Sequence, residues 1–320
     1  MTFTMNTLFR GVKMKNYIVC GCSAIGKSHE NEGITCQDNC YFDIRDNICV
    51  VAVADGVSAS KYSDVASRIA VKYIVWYCLK KIRRFDSPKK ILDILREGFE
   101  GALLKIKQRA INAPNDYDTT LTAAVVINDN LYFGQIGDSG ILALLENGRF
   151  DRITEEQNGE GTGKDRPVYP LAAISKWTFG YKNKIKAIFL GTDGVLKKIQ
   201  PSLLENQQYN LNHNYLCYVF NNIHSNQNDS SYQEWIQNEV ENMPPQEVDF
   251  DDKTLCVLIN LKNRLKMQSR EYYNFPSNEL WNQLVNENEE KLYPYRINGK
   301  KESDDINEKR RGICKTSAEN

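Results

Sequence analysis

No run of this sequence is apolar for long enough to cross a bilayer. The longest, ICVVAVA and YIVWYCL, are far shorter than the roughly twenty residues a spanning helix needs. The opening MTFTMNTLFRGVKMKNY has no long apolar core followed by a small-residue cleavage site, so no signal peptide is expected. Met14 is as good a start as Met1. Net charge is also lacking: 41 basic residues face 41 acidic ones, so no global field recruits nucleic acid or a membrane surface. Only three histidines are present, and none is paired at finger spacing. Nine cysteines occur without a CxxC motif, which argues against zinc at Cys20 and Cys22 or at Cys36 and Cys40. Their number is odd, and several (Cys49, Cys78, Cys256) sit inside apolar runs, where cysteine behaves as a small hydrophobe. Reduced thiols and a cytoplasmic setting are therefore expected. No internal repeat is visible.

With 41% hydrophobic and 26% charged residues, the chain has the composition of an ordinary globular domain. Residues 16–23 and 48–54 read as strands, the second ending at Asp55-Gly56. Apolar positions 62, 65, 66, 69, 70, 73, 74 and 77 recur at helical spacing, with a basic end that suits the helix dipole. Ile91, Leu92, Leu95, Phe99, Leu103, Ile106 and Ala110 mark a second helix, which Ser87 and Pro88 start. The pattern then changes to strands joined by turns at Asn128-Asp129-Asn130 and Asn147-Gly148. Residues 155–170 form a polar loop long enough to suggest a functional flap. KAIFLGTDGV and KTLCVLINL are further strands, with helices expected around 195–205 and 231–241. After Asn263 the composition turns rich in Asn, Glu and Lys, with one amphipathic patch at Leu280, Trp281 and Leu284. Paired helices and hairpin-linked strands indicate an α+β chain of antiparallel sheets with helices packed outside. The expected division is an N-terminal extension (1–15), a catalytic domain (16–262) and an accessory tail (263–320), loosely packed or disordered past about residue 298.

GCSAIGKS, residues 21–28, succeeds the first strand and fits the phosphate-loop pattern of a nucleotide hydrolase. Such a loop must open a helix, because loop amides and helix N-terminus hold the phosphates together. The next residues, HENEGITCQDN, have no apolar stripe and contain the poor helix formers Ile34-Thr35-Cys36, so no helix is expected there. The nucleotide-hydrolase reading is kept as the lesser alternative.

Aspartates at the ends of apolar strands make a stronger constellation. Asp38 stands in CQDN, Asp55 in VVAVADG, Asp138 in FGQIGDSG, Asp193 in IFLGTDGV, and Asp251 and Asp252 in DFDDKTLCVLI. Burying carboxylates together is costly unless cations compensate, and hard oxygen ligands suit magnesium or manganese. The glycine after Asp55 lets a backbone carbonyl approach a metal. Taken singly, each Asp-Gly is also an ordinary turn.

From Tyr17 to Leu261 the chain resembles the metal-dependent protein phosphatases of the 2C type, most of all their bacterial branch. GCSAIGKSHENEGITCQDN, VAVADGVSASKYSDVASRIAV, DTTLTAAVVI, GQIGDSGIL, FLGTDGV and DDKTLCVLI resemble the blocks of that family in order. The resemblance implies a four-layer α-β-β-α sandwich of two antiparallel sheets flanked by helix pairs. It implies a serine/threonine protein phosphatase that hydrolyses phosphoserine and phosphothreonine through a water bridging two divalent metals. Carried over by position, Asp55 bridges both ions, the carbonyl of Gly56 binds one, Asp193 and Asp251 bind the other, and Asp38 holds waters. Asp252 is the alternative to Asp251. The phosphate-gripping arginine of the family falls at Gly33, so His29, or else Lys27, is the candidate phosphate contact. Val57 stands where eukaryotic members carry a histidine acid, which leaves His29 as a candidate proton donor. A solvated loop residue is the plain alternative for His29, and His213 and His224 are assigned to packing or surface. Asp138 is the candidate ligand for a third ion, but Lys197 stands where a further acid would be needed. Two manganese or magnesium ions per chain are therefore expected. The implied partners are a phosphorylated protein and a cognate serine/threonine kinase. A catalytically weak sensor or scaffold that binds phosphoprotein is the second reading, because the arginine and histidine are missing.

Overall fold

The structure, a computed structural model, describes residues 11–14, 16–113, 116–159, 168–200, 204, 211–226, 231–243, 251–262, 266–273 and 276–292. Numbered along the chain, the strands form two antiparallel sheets. The first runs in the order β1 (Val12–Met14), β2 (Tyr17–Ala24), β11 (Lys253–Asn260), β10 (Ile185–Gly191), β7 (Gly140–Leu145) and β8 (Phe150–Arg152). The second runs β3 (Asn39–Arg45), β4 (Ile48–Ala54), β5 (Leu121–Ile127), β6 (Asn130–Ile136) and β9 (Thr178–Lys182). The helices are α1 (Lys27–Glu32), α2 (Ser63–Lys81), α3 (Pro88–Arg109), α4 (Asp193–Ile199), α5 (His213–Ser225), α6 (Tyr232–Glu241), α7 (Arg270–Tyr273) and α8 (Asn278–Leu292).

The apolar runs are continuous because each central strand is buried on both faces. In β4, Cys49, Val51 and Val53 face the other sheet, while Val50, Ala52 and Ala54 join the cluster under α2 and α3. In β10, Ile188 and Leu190 enter the inter-sheet core, while Ala187 and Phe189 pack beneath α5 and α6. Three apolar layers thus separate four layers of structure, the expected α-β-β-α sandwich. Ser87 caps α3 by accepting from the Lys90 N–H at 3.3 Å, with Pro88 in the first turn. Asn128 and Gly148 adopt left-handed backbone at the two expected hairpin turns.

Several elements differ from expectation. β3 is an unexpected strand, because NCYFDIR buries only Cys40, Phe42 and Ile44, alternating with polar or outward residues. α5 is an unexpected helix, although Leu216, Val219, Phe220 and Ile223 form a helical stripe. β1 lies in the expected N-terminal extension and pairs with β2, Val12 opposite Val19. The helix expected at 195–205 begins at Asp193 and ends at Ile199. Part of the tail is not loosely packed: Tyr273 is buried against Phe150 and His213, and Trp281 is only 6% exposed. The tip of the expected flap (160–167), residues 1–10 and everything past 292 lie outside the described residues.

Candidate metal centre

One end of the sandwich collects the aspartates. β4 and β10 end there, β3 and β11 begin there, and the link from β6 to β7 turns there. Asp55, Asp138 and Asp193 converge so closely that one carboxylate oxygen from each lies within 4.8 Å of the others. At that separation, and an effective dielectric constant of about 20, each pair of charges repels by about 3.5 kcal/mol. Three pairs come to about 10 kcal/mol, comparable to the whole stability of a domain. The cluster therefore holds protons or needs cations.

The titration behaviour reflects this. Burial first, then Asp193, pushes the Asp138 carboxyl up to about 8. Asp55 is raised well above the usual carboxylate range by burial and then by Asp38, Asp193, Asp138 and Asp251. Asp38 is raised by burial and then by Asp252, against a stabilising hydrogen bond from Thr192. Asp138 Oδ1 is buried without a hydrogen-bond partner among the described residues. A buried acceptor left open beside two further carboxylates calls for a proton or a positive charge nearby.

Backbone contacts fix these groups. The Asp55 N–H donates to Thr120 Oγ1 at 2.9 Å, while its carbonyl accepts from Thr119 Oγ1 and the Thr120 N–H, each at 2.8 Å. Thr192 Oγ1 donates to Asp38 Oδ2 at 2.6 Å and accepts from the Thr254 N–H at 3.0 Å, joining β10, β11 and Asp38. Nothing in the sequence pattern singles out these threonines, although each adjoins an acidic block. The glycines after Asp55 and Asp193 are not there for turn handedness, since neither has positive φ. A Cβ at Gly56 would sit 2.8 Å from both the Gln37 carbonyl and Ser63 Cβ, and one at Gly194 would strike the Asp252 carbonyl. Close backbone approach is what requires glycine at both positions.

Asp251 and Asp252, open alternatives in the sequence, have separate surroundings. Asp252 is buried, and its Oδ1 and Oδ2 accept from the N–H groups of Gly26 and Gln37, each at 2.6 Å. Both of its oxygens thus hold backbone, and it anchors the first loop. Asp251 is half-buried, its Oδ1 accepts from the Asp252 N–H at 2.8 Å, and it acts electrostatically on both Asp55 and Asp38.

The structure also decides the phosphate-loop motif. Contrary to expectation a helix, α1, does open at Lys27, but it lasts six residues and stops at Gly33 in left-handed backbone. The anion met by the loop amide of Gly26 is the carboxylate of Asp252. Lys27 is exposed and pairs with Glu30 at 2.5 Å. His29, expected in a polar loop or as phosphate contact and acid, is instead buried on α1. Its Nδ1 approaches Asp252 Oδ2 at 3.0 Å without an aligned hydrogen bond.

Lys197 reaches the carboxylate cluster. One turn into α4, its ammonium lies 2.5 Å from Asp193 Oδ2 and lowers the proton affinity of Asp138.

Comparison with known proteins speaks to the family and the fold. The family described as protein phosphatase 2C matches residues 25–240. A serine/threonine phosphatase of Listeria welshimeri is 27% identical over 173 residues, covering 49% of this chain and 64% of its own length. The chain thus spans just under two thirds of that curated relative. In backbone, a serine-threonine phosphatase 2C from Toxoplasma gondii matches with a TM-score of 0.54 at 12% identity, over 79% of this chain and 97% of the other. A bacterial serine phosphatase matches with a TM-score of 0.53 at 12% identity, over 77% and 98%. At such identities the two structures speak to the fold.

Proposed function

The chain belongs to the protein phosphatase 2C family, and from that premise we propose that it is a metal-dependent phosphatase of phosphoserine and phosphothreonine in proteins. The observation that carries the reading is the convergence of Asp55, Asp138 and Asp193 at one end of the sheets. In this reading Asp55, Asp193, Asp251 and the Gly56 carbonyl hold two manganese or magnesium ions. Bound there, such ions would supply an acidified water and positive charge for the phosphoryl oxygens, so no covalent enzyme intermediate would be needed. The chain's own residues preorganise that site. Thr119 and Thr120 fix the Asp55 backbone, and Thr192 fixes Asp38 as an acceptor for water beside the cluster. Asp252 ties the first loop to β11 through Gly26 and Gln37. The substrate is a phosphorylated protein, and a serine/threonine kinase is its natural counterpart.

The nucleotide-hydrolase alternative lacks support, because the loop amide of Gly26 already meets an internal carboxylate and Lys27 points to solvent. The sensor alternative rests on Gly33 and Val57 in place of an arginine and a histidine. A retired enzyme gains nothing from keeping clustered carboxylates that destabilise it.

The full chain should hydrolyse a small aryl phosphate and a phosphothreonine peptide only when manganese or magnesium is added. Asp55→Asn should abolish both activities, and Lys27→Ala should retain them. Full turnover in excess chelator would overturn the metal mechanism, and binding of metal and phosphopeptide without turnover would favour the sensor.

A further inference from the structure

Lys197 is the basic side chain in direct contact with the carboxylate cluster among the described ion pairs. It stands four residues after Asp193 on α4, so the two lie on one helix face. Long helical side chains lean toward the N-terminus, which carries the ammonium back over the first turn to Asp193 Oδ2. The lysine side chain is 33% exposed, so it enters the cluster from the solvent edge. On the inner side stands Asp138, 7% exposed, with Oδ1 open. Asp138 and Asp193 would together offer a divalent ion two carboxylates, yet Lys197 already pairs with Asp193, and the Asp138 carboxylate lies within 4.8 Å of that group.

We propose that the Lys197 ammonium is a tethered cation that closes the Asp138–Asp193 side of the cluster to a further divalent ion. The inference rests on the two-ion reading above and adds a limit to it. An ammonium donates hydrogen bonds to a carboxylate but brings one charge and no ligand-exchange site. It therefore offsets part of the repulsion between Asp138 and Asp193 while repelling a cation arriving at the same oxygens. The other oxygen of Asp193 would remain for one of the two ions of that reading. Lys197 is thus a positioning residue, and its effect is on how many ions are held and how firmly.

The test counts manganese per chain by native mass spectrometry and titration calorimetry, on the full chain, with no turnover measured. The parent protein should saturate at two ions at millimolar manganese. Lys197→Asp should take up a third, weaker ion, and adding Asp138→Asn to that variant should remove it. Lys197→Met, in excess chelator, should unfold about 3 °C or more below the parent, and manganese should narrow that gap. A parent that binds three ions, a Lys197→Asp variant that still binds two, or an unchanged midpoint for Lys197→Met in chelator overturns the proposal alone. A parent that binds no manganese overturns the two-ion reading and this limit with it.

Discussion

Asp251 and Asp252 are neighbours with opposite assignments, and single substitutions separate them. Asp252 accepts two short hydrogen bonds from backbone in a buried setting. Bonds to a charged acceptor are each worth about 1.5–3 kcal/mol. Asp252→Asn keeps one acceptor and turns an amide donor toward a second N–H, so it should cost about 2–3 kcal/mol of stability in urea unfolding. Asp251→Asn should change stability by less than about 1 kcal/mol, because the group is half-buried and its acceptor oxygen is conserved. It should instead weaken manganese binding about tenfold or more, read by calorimetry. Equal losses of stability in both variants would undo the assignment. The convergence of Asp55, Asp138 and Asp193 was legible because each closes or opens a strong apolar strand at the same end. The choice within Asp251-Asp252 was not legible, because the partners of Asp252 lie more than two hundred residues away in the chain. The same distance hid His29, whose ring lies 3.0 Å from Asp252, just ahead of β11.

At the scale of elements, strongly periodic segments were readable and weakly periodic ones were not. α2, α3, β4 and β10 carry apolar residues that neighbouring layers bury, and local pattern and tertiary demand agree. α1 has neither an apolar stripe nor a side-chain N-cap; the Gly26 contact with Asp252 holds its start and the left-handed Gly33 ends it. The tail shows the same dependence on distant contacts. Tyr273 is buried against Phe150 and His213, and its hydroxyl donates to the Gly148 carbonyl at 2.5 Å. Gln268 adds a hydrogen bond to the Asn147 carbonyl on the same turn. The segment 266–273 is thereby clasped to the β7–β8 hairpin, which its polar composition concealed. Tyr273→Ala removes a buried aromatic and should cost about 3 kcal/mol. It should also expose the segment to limited proteolysis at protein concentrations where the parent resists. A change below about 0.5 kcal/mol with unchanged cleavage would mean that the tail rests on the domain without contributing to it.

For the whole molecule, the carboxylate cluster ties stability to pH. Formal net charge is zero, so no global repulsion dominates and individual shifted groups set the slope. Burial and Asp193 raise the Asp138 carboxyl to about 8, far above the roughly 3.9 of an unfolded aspartate. Between these values the folded chain keeps a proton that the unfolded chain has released, so stability falls as pH rises toward 8. Asp38 and Asp55 are raised by the same causes and act in the same direction. Burial lowers His213 to about 4, which gives the opposite slope, but only below about pH 6.5 where an unfolded histidine takes up its proton. The window from about pH 6.5 to 8 therefore isolates the aspartates. In excess chelator, stability should drop across it by up to about 1.4 kcal/mol per pH unit for each proton so held. Saturating manganese should flatten the slope, because the ions then supply the compensating charge. Asp138→Asn should also reduce the slope in chelator, since an amide releases no proton. Thermal unfolding at half-unit intervals of pH, with and without manganese, measures all three. A metal-free slope that is flat or rises with pH would show that the cluster holds neither protons nor strain, and would remove the electrostatic argument for a metal centre there.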